Sequence, residues 1–243
     1  NWKKMKIEII PCLQDNYSYI LIDESKNIAC VVDPGEADPI INFLNKKKIE
    51  LKFILNTHHH YDHIGGNKTL KKKFSSKIIG FKNDKDRIPE IDIFVDDGEI
   101  WKYGNFEAQI IHIPGHTSGH ICFYFYNNKL AFTGDTLFSL GCGRIFEGTY
   151  LQMYNSLNKI KKLPKDTKIY CGHEYTLQNS KFCLSYDKKN IQLKKKIEEI
   201  KKKLHNNQPS VPSTIEEELE CNIFLRSNNL KTFSKLRDLK DNF

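Results

Sequence analysis

The sequence predicts an α/β domain over residues 1–174 followed by an α-helical domain over residues 175–243. Three observations carry this. Up to about position 173, short apolar, β-branched or aromatic runs alternate with turn residues, as strands do in a layered domain. Helical stretches separate some of these runs, at residues 39–47 and 151–163. Beyond Glu174 the period changes: Leu193, Ile197, Ile200 and Leu204 recur at helical spacing with Lys and Glu between them, which marks one apolar stripe on an amphipathic helix.

Taken in order, the expected strands are YSYILI, IACVVDPG, KFILNTH, SKIIGF, AQIIHIPGH, ICFYFYNN, KLAFTGD and TKIYCGH. Each joins residues that suit a pleated, buried surface to a turn signal or polar end. In the helical part, NNQPSVPS is a break, and Ser213 or Thr214 ahead of IEEEL is placed to cap a further helix. No internal repeat is present, and low complexity is confined to lysine runs. A chain of 243 residues is long enough to bury a substantial core.

Lys and Arg number 38 against 30 Asp and Glu, for a formal charge of +8. Much of the excess lies in lysine triplets at 46–48, 71–73, 194–196 and 201–203. They lack the interleaved aromatics and arginines of a nucleic-acid surface, so they are read as solvated helix faces and no nucleic-acid partner is expected. The positive field favours capture of a small anion. The seven cysteines (12, 30, 122, 142, 171, 183 and 221) are scattered and form no CxxC pair, which points to reduced thiols and a cytoplasmic setting. The apolar run ICFYFY is far short of the ~20 residues that span a bilayer, so no membrane association is expected. The opening NWKKMKIEII lacks the apolar stretch of a secretory signal, and Met5 is a candidate natural start preceded by four residues.

The chemistry concentrates in NTHHHYDHIGGN, residues 56–67. His116 in IPGH, Asp135 in FTGD and His173 in YCGH likewise follow a strand and a glycine turn. Loops beyond strand ends collect at one edge of a layered fold, so four segments are expected to deliver side chains to one place. Imidazole and carboxylate together suit zinc, iron or manganese. Seven ligands exceed what one tetrahedral ion takes, and two divalent cations per chain, zinc first, account for them. His58, His60 and His116 are assigned to one ion and Asp62, His63 and His173 to the other, with Asp135 bridging. His59 is read as pointing away, His120 as a hydrogen-bonded neighbour and His205 as an exposed helix residue; Pro114 and Gly115 preclude a helical metal motif through His112, His116 and His120.

The motifs THHHYDHIGGN, IPGHTSGH, FTGDTLF and CGHEYT, in order with PCLQDNYSYIL, VVDPG, VPSTIEEEL and RDLKDNF, resemble the metallo-β-lactamase superfamily and within it the glyoxalase II family. The resemblance covers most of the chain. It implies an αββα sandwich with a binuclear site, in which Asp62 and Asp135 act in catalysis as well as metal binding. It also implies a helical domain that helps to bind glutathione, and hydrolysis of an S-2-hydroxyacylglutathione thioester such as S-D-lactoylglutathione, the second step of methylglyoxal detoxification. The family's glutathione contacts fall at Arg144, Phe146, Tyr175, Arg237 and Lys240. Phe146 lacks the hydroxyl usual there, and Arg144 stands where the family has lysine. The implied partner is a small molecule, with no obligate protein partner. Rival readings are a single-iron glutathione persulfide dioxygenase of the same superfamily, an RNA-processing nuclease relative, and a metal-stabilised interaction module.

Overall fold

A computed structural model describes residues 5–243, so Met5 lies within it and the four residues ahead of Met5 lie outside. The chain forms two compact units. The first holds the described residues through His112 together with Gly119–Asn128. It runs β1 (Lys6–Cys12), β2 (Asn16–Asp23), β3 (Ile28–Val32), α1 (Asp38–Lys47), β4 (Glu50–Leu55), α2 (Tyr61–Ile64), α3 (Asn67–Phe74), β5 (Lys77–Phe81), β6 (Ile93–Val95), β7 (Ile100–Tyr103), β8 (Phe106–His112) and β9 (Ile121–Phe125).

Six strands pair in the order β1-β2-β3-β4-β5-β6. The first two pairs are antiparallel, whereas β3, β4, β5 and β6 are mutually parallel, with α1 and α3 as crossovers. Parallel strands with crossover helices read as continuous apolar runs, which is what IACVV and the end of ELKFIL are. Ile20, Ile22, Val31, Ile40, Leu44, Ile54, Leu70 and Ile78 form the core between strands and helices. Pro39 stands at the start of α1, where its missing N–H costs nothing, and Lys48 closes the helix in the left-handed region. The antiparallel strands β7, β8 and β9 complete this unit.

The second unit holds Ile113–Ser118 and the chain from Lys129 onward. Its elements are β10 (Leu130–Gly134), β11 (Leu137–Phe138), β12 (Gly141–Cys142), α4 (Tyr150–Lys161), β13 (Lys168–Cys171), α5 (Thr176–Tyr186), α6 (Ile191–His205), β14 (Ser213–Thr214), α7 (Ile215–Cys221) and α8 (Leu230–Asp241). β10 and β13 are parallel, so their carboxyl ends lie side by side; β14 adds antiparallel to β13. β11 and β12 form a small hairpin. The predicted apolar stripe of α6 is real: Leu193, Ile197 and Ile200 pack with Leu140, Cys183 and Cys221. Thr214, not Ser213, is the cap of α7, in a reciprocal capping box with Glu217.

The lysine triplets at 46–48, 71–73 and 201–203 are solvated as expected, with Lys71 half-buried, but the triplet at 194–196 contains an exception: Lys196 faces inward and is buried. All seven cysteines are unbridged and buried. No helix among the described residues is long and apolar enough to cross a membrane.

Candidate metal centre

In the first unit the ligand candidates follow the carboxyl end of β4, beside the carboxyl end of β3, where Asp33 sits. His58 and His63 are fully buried, while His60 and Asp62 are partly exposed. The HHHYDH segment makes its sharp turn as the single helical turn α2, which begins after His60 and brings the His63 N–H to the His60 carbonyl. His63 Nε2 lies 3.2 Å from Asp62 Oδ2. The His58 ring lies 4.2 Å from the His63 ring and 4.9 Å from that of His60.

The opposite nitrogens are engaged elsewhere. His63 Nδ1 is 3.0 Å from Asp33 Oδ2, and His58 Nδ1 is 2.9 Å from Thr57 Oγ1, which itself donates to Asp33 at 2.6 Å. The Thr57 N–H donates to the other Asp33 oxygen at 2.8 Å. Asn16 Nδ2 donates to Asp62 Oδ2 at 2.9 Å and to the Asp62 carbonyl at 3.1 Å. A carboxylate or hydroxyl on Nδ1 fixes the tautomer that leaves Nε2 bare for a cation. His120, expected as a neighbour, stacks on His58 with ring centres 4.5 Å apart.

In the second unit Asp135 and His173 follow the adjacent parallel strands β10 and β13, and His116 lies in the segment 113–118. Asp135 Oδ2 is 3.4 Å from His116 Nε2 and 3.2 Å from His173 Nε2. His116 Nδ1 is 2.9 Å from the Arg144 carbonyl, again leaving Nε2 for a ligand bond. Close approach is built in: Gly134 adopts φ +51°, and a Cβ on Gly143 would fall 1.8 Å from the Asp135 carbonyl.

These separations test whether the residues suit a cation. Two ligands at about 2.0 to 2.1 Å from one tetrahedral ion stand roughly 3.3 Å apart. The pairs at 3.2, 3.2 and 3.4 Å have that spacing, so the ligand set fits zinc-like coordination. His59 belongs to none of the metal-ligand groups found among the described residues. His205 is an exposed residue in the last turn of α6.

Beside His116 and Asp135 opens a cavity of about 470 Å³ in the second unit, lined by Phe138, Cys142, Arg144, Phe146, Tyr175, Arg237 and Lys240 among others. All five residues expected to meet glutathione are in its wall. The Tyr175 ring stacks on His173 at 4.7 Å with an interplanar angle of 4°. Phe146, 62% exposed, packs against the His116 ring at 5.2 Å. Arg237 is buried and donates to the Cys142 carbonyl at 2.6 Å and to Asp241 at 2.7 Å. Burial, with the Arg237 and Arg144 guanidinium groups nearby, holds the Lys240 ammonium below its usual pKa. Burial pushes the Cys142 thiol up against the opposing pull of Arg237. A shallower cavity of about 660 Å³, lined by Lys161, Tyr186 and Arg226 among others, holds none of the metal ligands.

Residues 13–173 match the metallo-β-lactamase superfamily, and residues 174–243 match the hydroxyacylglutathione hydrolase C-terminus. The hydroxyacylglutathione hydrolase of Pelagibacter ubique (strain HTCC1062) is 69% identical over 239 residues, covering 98% of this chain and 100% of the relative. The chain belongs to the hydroxyacylglutathione hydrolase family of the metallo-β-lactamase superfamily. A second member, from Nostoc sp. (strain PCC 7120 / SAG 25.82 / UTEX 2576), is 43% identical over 257 residues, covering 98% of this chain and 100% of its own. The B3 metallo-β-lactamase BLEG-1 shares the fold, with a TM-score of 0.72 at 22% identity over 91% of this chain and 100% of that one. The fold is thus the α/β sandwich of the superfamily with a C-terminal helical region, as expected. Membership also accounts for a cluster of His and Asp suited to divalent cations.

Sequence reasoning assigned no role to Asn16, Asp33 or Thr57, the side chains that orient Asp62, His58 and His63. A signal for Asp33 was present: it follows strand β3 and precedes Pro34 and Gly35, the same strand-then-turn setting that singled out His116, Asp135 and His173.

Proposed function

We propose that this chain hydrolyses the thioester of an S-2-hydroxyacylglutathione, S-D-lactoylglutathione above all, to glutathione and a 2-hydroxy acid. Two divalent cations, zinc first, serve the reaction. His58, His60, His116 and Asp135 are assigned to one and Asp62, His63, Asp135 and His173 to the other, four ligands each. The observation that carries this reading is Asp135 Oδ2, 3.4 Å from His116 Nε2 and 3.2 Å from His173 Nε2, which places one carboxylate where it would serve both ligand groups. Cations so held lower the pKa of water toward about 7 and stabilise charge developing on a carbonyl oxygen.

The protein's own groups hold and orient. Asp62, pinned by Asn16, presents Oδ2 beside His63. Asp33 and Thr57 keep the protons of His63 and His58 on Nδ1. Arg144 and Lys240 crowd like charges along the cavity wall, and a glutathione carboxylate relieves that repulsion. Tyr175 offers its hydroxyl to the tripeptide, and Phe146 offers apolar surface at the same wall. A leaving thiol of pKa about 8.5 departs as thiolate, so no strong general acid is required. We place the catalytic domain at 1–174 and the glutathione-binding helical domain at 175–243, and the protein in the cytoplasm, consistent with seven unbridged cysteines. The partner is the small-molecule thioester, without nucleic acid or an obligate second protein.

The test is incubation of zinc-loaded protein with S-D-lactoylglutathione, following loss of the thioester absorbance and free thiol release in step. Turnover supports the reading. Its absence, with oxygen uptake on glutathione persulfide by a one-iron form, would replace it with the dioxygenase.

A further inference from the structure

Glu218 on α7 is fully buried, and thioester hydrolysis as described above does not use it. Its carboxylate is spent on the turn of the β11–β12 hairpin. The Leu140 N–H donates to Oε1 at 2.7 Å and the Ser139 hydroxyl to Oε2 at 3.1 Å. Leu140 needs the hold: it is a non-glycine residue at φ +61°, a strained backbone setting for a branched side chain. Asn222, one turn on, donates to Oε1 at 3.2 Å, to the Phe138 carbonyl at 3.3 Å and to the Gly141 carbonyl at 3.1 Å. Lys196, the inward-facing lysine of the third triplet, compensates the charge from α6, 3.3 Å from Glu218 and 3.0 Å from Glu217. Burial works against its ammonium, but the two carboxylates outweigh it.

The same hairpin also contributes to the cavity wall. Phe138 beside its turn and Cys142 at its end line the cavity with Asp135, and the Phe138 ring packs 5.0 Å from Tyr175 and 6.0 Å from His173. Arg237 draws in the Cys142 carbonyl from the far strand. An apolar residue at 218 would fill the same space but leave the Leu140 N–H and Ser139 hydroxyl without acceptors, and a charged acceptor holds them more tightly than a neutral one.

We propose that Glu218, balanced by Lys196, is a positioning residue for the thioester reaction: it fixes the 137–142 hairpin so that Phe138 and Cys142 form the wall on which the glutathione moiety packs. The inference rests on that functional reading. It predicts a split between binding and turnover, because Asp135 and His173 follow β10 and β13 and keep their places when the hairpin loosens.

Four proteins decide it: wild type, Glu218→Gln, Glu217→Gln and the double variant Glu218→Gln with Lys196→Met, each measured for KM and kcat on S-D-lactoylglutathione, zinc content and hydrogen exchange of the Leu140 amide. Glu218→Gln turns an amide toward the Lys196 ammonium and is expected to raise KM about tenfold, with kcat within about twofold, unchanged zinc and faster Leu140 exchange. Glu217→Gln also loses a contact to Lys196 but none to the hairpin, and leaves KM unchanged. Removing the ammonium in the double variant brings KM back to within about threefold of wild type. A folded Glu218→Gln with wild-type KM, or equal KM changes in both single variants, overturns the inference and leaves the functional reading standing. No turnover by wild type overturns the functional reading and this inference with it. Should Glu218→Gln fail to fold, Ser139→Ala takes its place: it removes one hairpin contact while Glu218 and Lys196 stay paired, and an unchanged KM there overturns the inference equally.

Discussion

Asp33→Asn removes one charge and no volume from a buried network, and the backbone tolerates it, since Asp33 sits at φ +51°, a conformation asparagine adopts readily. The asparagine oxygen must keep the Thr57 N–H, a donor fixed by the backbone at 2.8 Å. Its NH2 then faces Thr57 Oγ1 and His63 Nδ1. The threonine hydroxyl turns to accept and goes on accepting from His58 Nδ1, so His58 keeps its tautomer. His63 has no such freedom. To meet the new amide it must bare Nδ1 and carry its proton on Nε2, the nitrogen 3.2 Å from Asp62 Oδ2 that a cation requires unprotonated. Loss of such a supporting contact costs about 10- to 100-fold in metal affinity, or roughly 1.4 to 2.7 kcal/mol. The assay is zinc titration against a chromophoric chelator at pH 7, resolving two binding events per chain. The second event weakens by that factor and the first stays within about threefold. Two ions bound as tightly as in wild type would refute the role given to Asp33.

Three further outcomes follow from the same geometry. Lys240→Ala removes ground-state attraction for the glutathione carboxylates, so KM for the thioester rises roughly threefold to tenfold while kcat moves less than about twofold; steady-state kinetics decide it. His63→Ala empties one of the two ion positions, so elemental analysis finds one zinc per chain and kcat/KM falls by about a hundredfold or more. Burial raises the Asp92 carboxyl, but the Ile78 N–H at 2.8 Å and the Lys71 ammonium at 2.9 Å outweigh it, leaving its pKa below the ordinary 3.8. A depressed carboxyl contributes stability above its unfolded pKa and loses it as pH falls through the lower folded value. Asp92→Asn therefore lowers urea stability at pH 7 by roughly 0.5 kcal/mol, discounted for solvent screening at this exposed pair, and the two proteins draw together only as pH falls below about 4.

The eight strands expected from YSYILI to TKIYCGH all form, because most are buried apolar runs and β8 alternates buried with half-buried residues, patterns the sequence itself displays. Others were not legible. β1 is a mostly half-exposed edge strand, and β11, β12 and β14 have two residues each, too short for any period. Helix α5 buries Thr176, Asn179 and Ser180 beside Phe182 and Cys183, so it has no clean apolar stripe. Lys196 looked like its exposed neighbours because a buried lysine is recognisable only once Glu217 and Glu218, more than twenty positions on, are placed against it. In the site, ligand types and spacing were open to reading from the chain, since imidazole and carboxylate declare their chemistry. Asn16, Asp33 and Thr57 were not, because what each does depends on which ring nitrogen or carboxylate oxygen it meets in space.

Asp135 would hold two cations at once, and together they would make water reactive toward a thioester. Anomalous diffraction at the zinc edge from crystals of the metal-loaded protein tests it directly. Two peaks about 3.5 to 4 Å apart, both within bonding distance of Asp135 and flanked by the His116 and His173 rings respectively, are predicted. A single peak, or two with Asp135 bound to only one, would contradict it.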